Sequence, residues 1–288
     1  MKEGYIAVTG GNVYYKIVGD GSKTPIILLH GGPGGTHVPF MHLENLGNDR
    51  QVIFYDQLGS GKSDRPNDHS LWNIDRFVEE LGQIREALGL SKLHILGHSW
   101  GTMLAASYLL NQPEGVQSII FSSPCLSVPQ WEKDQALHLK QLPEEVQEIL
   151  SRCEREGTTD TEEYKTAMKE FNKRFVYRLD SKPKEMESPY AKSNSIVYNT
   201  MWGPSEFCTT GNLKGYEVTE RLKEIQLPAM FTCGRYDEAT PQTVEGYSHC
   251  LPGSIFHVYE QSAHLPYLEE PAEYIGRVRS FLDHVEKQ

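Results

Sequence analysis

Long apolar runs are missing from this 288-residue chain, and nothing in it approaches the roughly 20 residues that a membrane-spanning helix needs. The first residues, Met1 to Ile6, lack the apolar stretch of a secretion signal. A soluble cytoplasmic protein with no membrane partner is the expectation. Cysteine is scarce: Cys125, Cys153, Cys208, Cys233 and Cys250 are odd in number, scattered, and contain no C-x-x-C pair. That pattern argues against a disulfide framework or a zinc site and for a reducing compartment. Positive charge is also short, with 28 Lys and Arg against 39 Asp and Glu and a net charge of −11. With no basic cluster to offset it, this balance argues against nucleic acid as the main partner. The motif H-E-x-x-H is absent, so zinc-dependent hydrolysis of that type has no ligands, and neither metal nor cofactor is expected. Internal repeats and low-complexity tracts are absent too.

What is present is ordinary globular material, 38% hydrophobic and 23% charged. Its length suits one large α/β domain or a core with an inserted subdomain. The organising stretch is 93–111. Leu93 to Leu96 reads as a buried strand, Gly97-His98-Ser99-Trp100-Gly101 follows, and an Ala/Leu/Met-rich helix then runs without a breaker until Pro113. A G-x-S-x-G between strand and helix is the context of a nucleophile elbow. The serine sits on a strained turn, and glycines two before and two after it let strand and helix approach. The helix N-terminus then points at the place where an oxyanion would form.

The remaining segments alternate. Residues 4–9 and 12–18 predict a hairpin around Gly10-Gly11, and Pro25 to Leu29 and Gln51 to Tyr55 predict further strands. A helix carrying Ile74, Phe77, Val78, Leu81, Ile84 and Leu88 precedes the elbow, and Val116 to Phe121 follows it as a strand. Strands alternating with helices predict a parallel sheet covered on both faces. From Cys125 to Lys214 the pattern turns helical and polar, with loop residues around Ser181 to Pro189. Core segments then resume: a strand at Pro228–Cys233, a helix from Pro241, a strand at Ser254–Tyr259 and a closing helix from Pro271. Residues 125–214 are therefore expected to be a helical cap, and 1–124 with 215–288 the core. Within the cap, Tyr198, Trp202 and Phe207 lie in an aromatic, turn-forming stretch that suits a pocket lining.

Two loops carry further chemistry. His30-Gly31-Gly32-Pro33-Gly34-Gly35 follows a strand end, where α/β sheets bind ligands. Read as an oxyanion loop, it offers the Gly32 N–H to pair with that of Trp100. A phosphate loop lacks its Gly-Lys-Ser/Thr ending and a helix start directly after it, and a plain tight turn stays open. Asp56, opening Asp56-Gln57-Leu58-Gly59-Ser60-Gly61-Lys62-Ser63, reads as a loop-organising acid rather than a catalytic one.

A serine nucleophile needs a base, and the base needs an acid to hold its tautomer. Asp237 lies just past strand 228–233, and His264 just past strand 254–259, which gives the order Ser, Asp, His. Of eleven histidines, His257 falls inside a strand and His249 inside a helix, and His98 is directed elsewhere by the turn. The alternative acid loop, Ser122-Ser123-Pro124-Cys125, offers no carboxylate.

These pieces resemble the α/β-hydrolase superfamily across most of the chain, and within it the proline iminopeptidases (prolyl aminopeptidases). The resemblance rests on the three motifs His30 to Gly34, Asp56 to Ser63 and Gly97 to Gly101, which esterases share. Gly203-Pro204-Ser205-Glu206-Phe207, Gly234-Arg235-Tyr236-Asp237-Glu238 and Ala263-His264 are the more telling matches. It implies a mostly parallel sheet with helices on both faces and an inserted helical cap. It also implies that Glu206 and Glu238 bind a free N-terminus. A protonated N-terminal proline has two N–H donors, and two carboxylates can accept both. The expected activity is that of a serine aminopeptidase releasing an N-terminal residue, preferably proline, from small peptides or amino-acid amides through an acyl-enzyme. An esterase or amidase without N-terminal selectivity, and a non-enzymatic ligand sensor on the same scaffold, remain open. Epoxide and haloalkane hydrolases use a carboxylate where Ser99 stands.

Overall fold

The computed structural model describes residues 1–287. Its centre is a sheet of eight strands among the described residues: β1 Lys2–Val8, β2 Gly11–Val18, β3 Lys23–Leu29, β4 Arg50–Tyr55, β5 Leu93–His98, β6 Val116–Ser122, β7 Ala229–Gly234 and β8 Ile255–Tyr259. They lie in the order β1-β2-β4-β3-β5-β6-β7-β8. The two pairings at the β1 edge are antiparallel and all the others parallel. The helices are α1 Ile74–Ala87, α2 Trp100–Leu109, α3 Val128–Leu139, α4 Glu144–Glu156, α5 Glu162–Phe171, α6 Ser195–Met201, α7 Pro241–Cys250, α8 Pro266–Glu269 and α9 Pro271–Val285.

Successive strand side chains point to opposite faces, and the sheet is apolar on both. Ile27, Ile53, Ile95, Ile119 and Phe231 face one core, with α1 and α2. Ile26, Leu28, Val52, Phe54, Leu96, Ile120 and Met230 face the other, against α9 and the turns after β3. That explains why these strands read as unbroken apolar runs rather than alternating ones.

Several features differ from the reading of the sequence. β5 runs on through Gly97 and His98 because both keep parallel pairing with Phe121 and Ser122 of β6, which neither side chain announces. α2 stops at Leu109, and Gln112 turns to φ 52° before Pro113, since a proline disfavours helix in the residue before it. After the glycine-rich loop, 3₁₀ turns occupy Val38–Asn48, pinned by buried Phe40, Leu43 and Leu46. The short helix α8 follows His264 without having been foreseen.

Between β6 and β7, helices α4 and α5 bury a cluster of their own, including Leu150, Tyr164, Phe171 and Phe175. α3 and α6 instead contribute Val128, Trp131, Val197 and Met201 to the main core. Backbone bonding between Ser127 and Glu217 joins the two ends of this inserted segment.

Asp56, at the end of β4, is buried and accepts hydrogen bonds from the His37 N–H (2.9 Å), the Lys62 N–H (2.9 Å) and His37 Nδ1 (2.7 Å). It ties its own loop, 56–63, to the turn at His37, as a loop-organising acid would. Asp56→Ala is expected to cost about 3 kcal/mol, because two backbone donors lose their acceptor in a buried place. Urea unfolding of the variant beside the parent measures it.

Candidate active site

Ser99 links β5 to α2 at φ 53° and ψ −122°, a strained conformation for a residue with a side chain. Its N–H donates to the Ser122 carbonyl at 3.1 Å, and its carbonyl accepts from the Thr102 N–H at 2.8 Å. The turn is as tight as the glycines imply. A Cβ on Gly97 would stand 2.4 Å from the Gly101 carbonyl oxygen, and one on Gly101 would stand 2.1 Å from that of Leu29. Ser99 lines a cavity of about 290 Å³, together with Gly32, Tyr198, Glu206, Glu238 and His264.

The histidine and the acid meet there. His264 Nδ1 donates to Asp237 Oδ1 at 2.6 Å, and Asp237, fully buried, also accepts from the backbone N–H groups of Gly234 (3.1 Å) and Ala239 (3.0 Å). With Nδ1 committed, Nε2 is the nitrogen left for a reacting proton. Ser99 and His264 share the cavity wall with no hydrogen bond between them, a looseness common before substrate closes a site. Burial opposes charge on His264, but Asp237, Glu238 and Glu206 together outweigh it and raise its pKa to about 9.

His98 is not turned away from this region. Its ring centroid lies 4.7 Å from that of His264, and its Nε2 donates to the His264 carbonyl oxygen at 2.8 Å. Burial holds His98 well below the usual imidazole range, so it backs His264 as a neutral ring. Its side chain alternates off β5 toward the second core, a direction that the elbow motif alone does not reveal.

Across from the relay, Trp100 opens α2, so its N–H is one of those a helix leaves unpaired. Gly32 lines the same cavity. Gln57 holds the two segments together: its N–H donates to His30 Nε2 (3.0 Å), its Nε2 to the His30 carbonyl (3.2 Å), and its Oε1 accepts from Trp100 Nε1 (2.8 Å). With Nε2 accepting, His30 is neutral and its Nδ1 donates to the Gly31 carbonyl at 2.8 Å; burial lowers its pKa to about 4. Gln57 was visible within a matched motif, but nothing in the sequence gave it this role.

Glu206 and Glu238 converge on the wall beside His264. Tyr198 donates its hydroxyl to Glu206 Oε1. Glu238 is 3% exposed, its Oε2 lies 3.7 Å from His264 Nε2, and its Oε1 has no hydrogen-bond partner among the described residues. Burial, together with the charge of Glu206, pushes Glu238 well above the usual carboxylate range. Burial also raises Glu206, against the pull of the Tyr198 hydroxyl. A buried acid with an unused oxygen, beside a half-buried second acid, forms a place where a cation with more than one donor gains both charge and hydrogen bonds.

Of the aromatic trio, Tyr198 alone lines the cavity. Trp202 lies behind it, edge-on to Trp131 at 6.0 Å, with its Nε1 donating to the Ser205 carbonyl. Phe207 packs edge-on against Phe171 at 4.9 Å in the separate α4–α5 cluster. Both corrections have one cause: the partners Trp131 and Phe171 come from other helices, and they claim these rings. Trp131 in turn places its ring 5.8 Å from that of His264. Two residues beyond any motif, Gln135 and His138 of α3, reach the Glu238 carbonyl oxygen at 3.2 and 3.3 Å. Their periodicity marked only a helix.

Residues 24–271 match the model of a family described as the alpha/beta hydrolase fold. A proline iminopeptidase of Heyndrickxia coagulans is 56% identical over 285 residues, covering 98% of this chain and 99% of that one. Among solved structures, VinJ superimposes with a TM-score of 0.94 at 34% identity, covering 99% of both chains. The proline iminopeptidase of Mycobacterium smegmatis superimposes with a TM-score of 0.88 at 31% identity, covering 99% of this chain and 98% of that one.

Proposed function

The chain belongs to the α/β hydrolases and, within them, to the proline iminopeptidases, and from that premise we propose that it is a serine aminopeptidase. It removes an N-terminal residue, preferably proline, from small peptides or amino-acid amides with a free N-terminus. The observation that carries this reading is the convergence of Glu206 and Glu238 on the cavity wall shared by Ser99 and His264.

The chemistry follows from what each group can do. The substrate ammonium sits between Glu206 and Glu238, which fixes the first peptide bond over Ser99 and limits the enzyme to one residue per cut. His264 Nε2 takes the Ser99 proton as the oxygen attacks the first carbonyl. The N–H groups of Gly32 and Trp100 receive the developing oxyanion, reinforced by the N-terminal end of α2. His264, held by Asp237, returns the proton to the departing amine. A water then enters, gives its proton to His264, and releases the amino acid from the acyl-enzyme. Apart from that water, each step uses side chains and backbone of this chain.

The separate cluster that α4 and α5 bury supports treating 125–214 as a cap over a core made of 1–124 and 215–288. No helix among the described residues is long and apolar enough to cross a membrane. Five free thiols support a reducing, cytoplasmic setting.

The test compares three chromogenic substrates: a free prolyl anilide, its N-acetyl form and a small acyl ester. The free prolyl anilide is expected to be cleaved at least about 100-fold faster than the acetylated one, because acetylation removes both the charge and a donor. Equal rates on the two would make the protein a general esterase or amidase.

A further inference from the structure

The two oxygens of Glu238 have different surroundings. One oxygen faces His264 Nε2 at 3.7 Å, the nitrogen that has to accept the serine proton, while Nδ1 is already taken by Asp237 at 2.6 Å. The other oxygen is buried without a partner among the described residues. The carboxylate is therefore placed between the catalytic base and the site of the substrate ammonium. Its backbone is fixed by Gln135 and His138, so any change of partner has to come from the side chain.

We propose that Glu238 gates the base: in the free protein it holds a proton on His264 Nε2 as an ion pair, and a cation in the ammonium site takes over the carboxylate and frees that nitrogen for Ser99. The inference rests on reading Glu206 and Glu238 as the amine anchor. The proton balance is one for one. The His264 Nε2–H bond breaks, the proton leaves to solvent, and the incoming ammonium replaces the lost positive charge. Selectivity for a free N-terminus then acts on the chemical step as well as on binding.

The groups around His264 leave it as the cation available to this pocket. Asp237 and Glu238 face it from the loop after β7, and Glu206 faces it from the segment after α6. His98, from β5, is kept neutral by burial, as is Tyr267 from α8. Around the glutamates, burial likewise keeps Tyr198 and the Cys125 thiol protonated. It also lowers the pKa of His138 on α3, raises that of Asp134 on the same helix and pushes up the Tyr164 hydroxyl on α5. Burial raises Glu206 and Glu238, but the charge of His264 pulls both back toward the carboxylate form; the three acids in turn raise His264 to about 9, and a bound ammonium takes over that pairing.

The experiment uses p-nitrophenyl acetate, which is small and carries no charge, with and without pyrrolidine hydrochloride to fill the ammonium site. Without the amine, the acid limb of kcat/KM is expected to lie well above neutrality. Saturating pyrrolidinium is expected to move it down by about one pH unit and to raise hydrolysis at pH 7 by about tenfold. In Glu238→Gln the limb should already be low, and pyrrolidinium should leave it unmoved. Independently, binding of L-prolinamide to Ser99→Ala, followed by calorimetry in buffers of different ionisation enthalpy, should release a proton near pH 7. The gate is overturned if pyrrolidinium only inhibits ester hydrolysis, with the limb unshifted and no proton released, in a protein that still cleaves free prolyl anilide. Failure to cleave that anilide at all would instead remove the aminopeptidase reading beneath it.

Discussion

Ser99→Ala is expected to lower kcat on a free prolyl anilide by at least about 10⁴-fold while leaving the fold and the ammonium site intact. The magnitude follows from removing the only atom that forms the covalent intermediate; what survives is the contribution of the oxyanion donors and of positioning. The fold should persist because the elbow is held by backbone groups. The Ser99 N–H and carbonyl keep their bonds to Ser122 and Thr102 whichever side chain is present. Titration of the variant with L-prolinamide checks that binding remains, and single-turnover kinetics checks that no acyl-enzyme forms. A variant that turns over at the parent rate would remove Ser99 as nucleophile and, with it, the reading of His264 and Asp237 as its relay.

The second large effect concerns the two glutamates. Glu206→Gln and Glu238→Gln are each expected to reduce kcat/KM on the free prolyl anilide by about 10- to 100-fold. A charge-assisted hydrogen bond contributes about 1.5–3 kcal/mol, and each 1.4 kcal/mol is a factor of ten. The N-acetylated substrate should lose nothing, since it never used the charge. Cleavage of the acyl ester should survive in both variants. The double variant is expected to fall short of the product of the single effects, because both acids grip one ammonium and act as a unit. Equal losses on free and acetylated substrates would mean that the glutamates support the site's shape rather than its charge selectivity. The pH dependence carries a sign of its own. Both carboxyls are raised above the ordinary range by burial, so they protonate earlier as pH falls. KM for the cationic substrate should accordingly begin to climb at a higher pH than an exposed carboxylate would dictate.

Much of this protein could be read along the chain because its informative features are local. The G-x-S-x-G elbow is a steric statement about adjacent residues, and the approach of Gly97 to Gly101 is what those glycines are for. Strands buried on both faces declare themselves as apolar runs, which is why β3 to β7 were found within a residue or two of their ends. The ends at His98 and Leu109 depend on a neighbouring strand or on the residue ahead.

The linear order also placed Asp237 and His264 after consecutive strands, and parallel pairing of β7 with β8 then brings their loops to one edge of the sheet. Position in the chain was enough for that, since parallel strands end on the same side. Tertiary packing alone decided which aromatic meets the cavity. Tyr198, Trp202 and Phe207 are all aromatic and close in sequence, but Trp131 and Phe171, arriving from other helices, take two of them away. It also decided that His98 backs His264, that Gln57 joins the glycine loop to Trp100, and that Glu238 lies within reach of His264 Nε2. These are distances between residues far apart in the chain, set by how helices seat on a sheet, and no local periodicity encodes them.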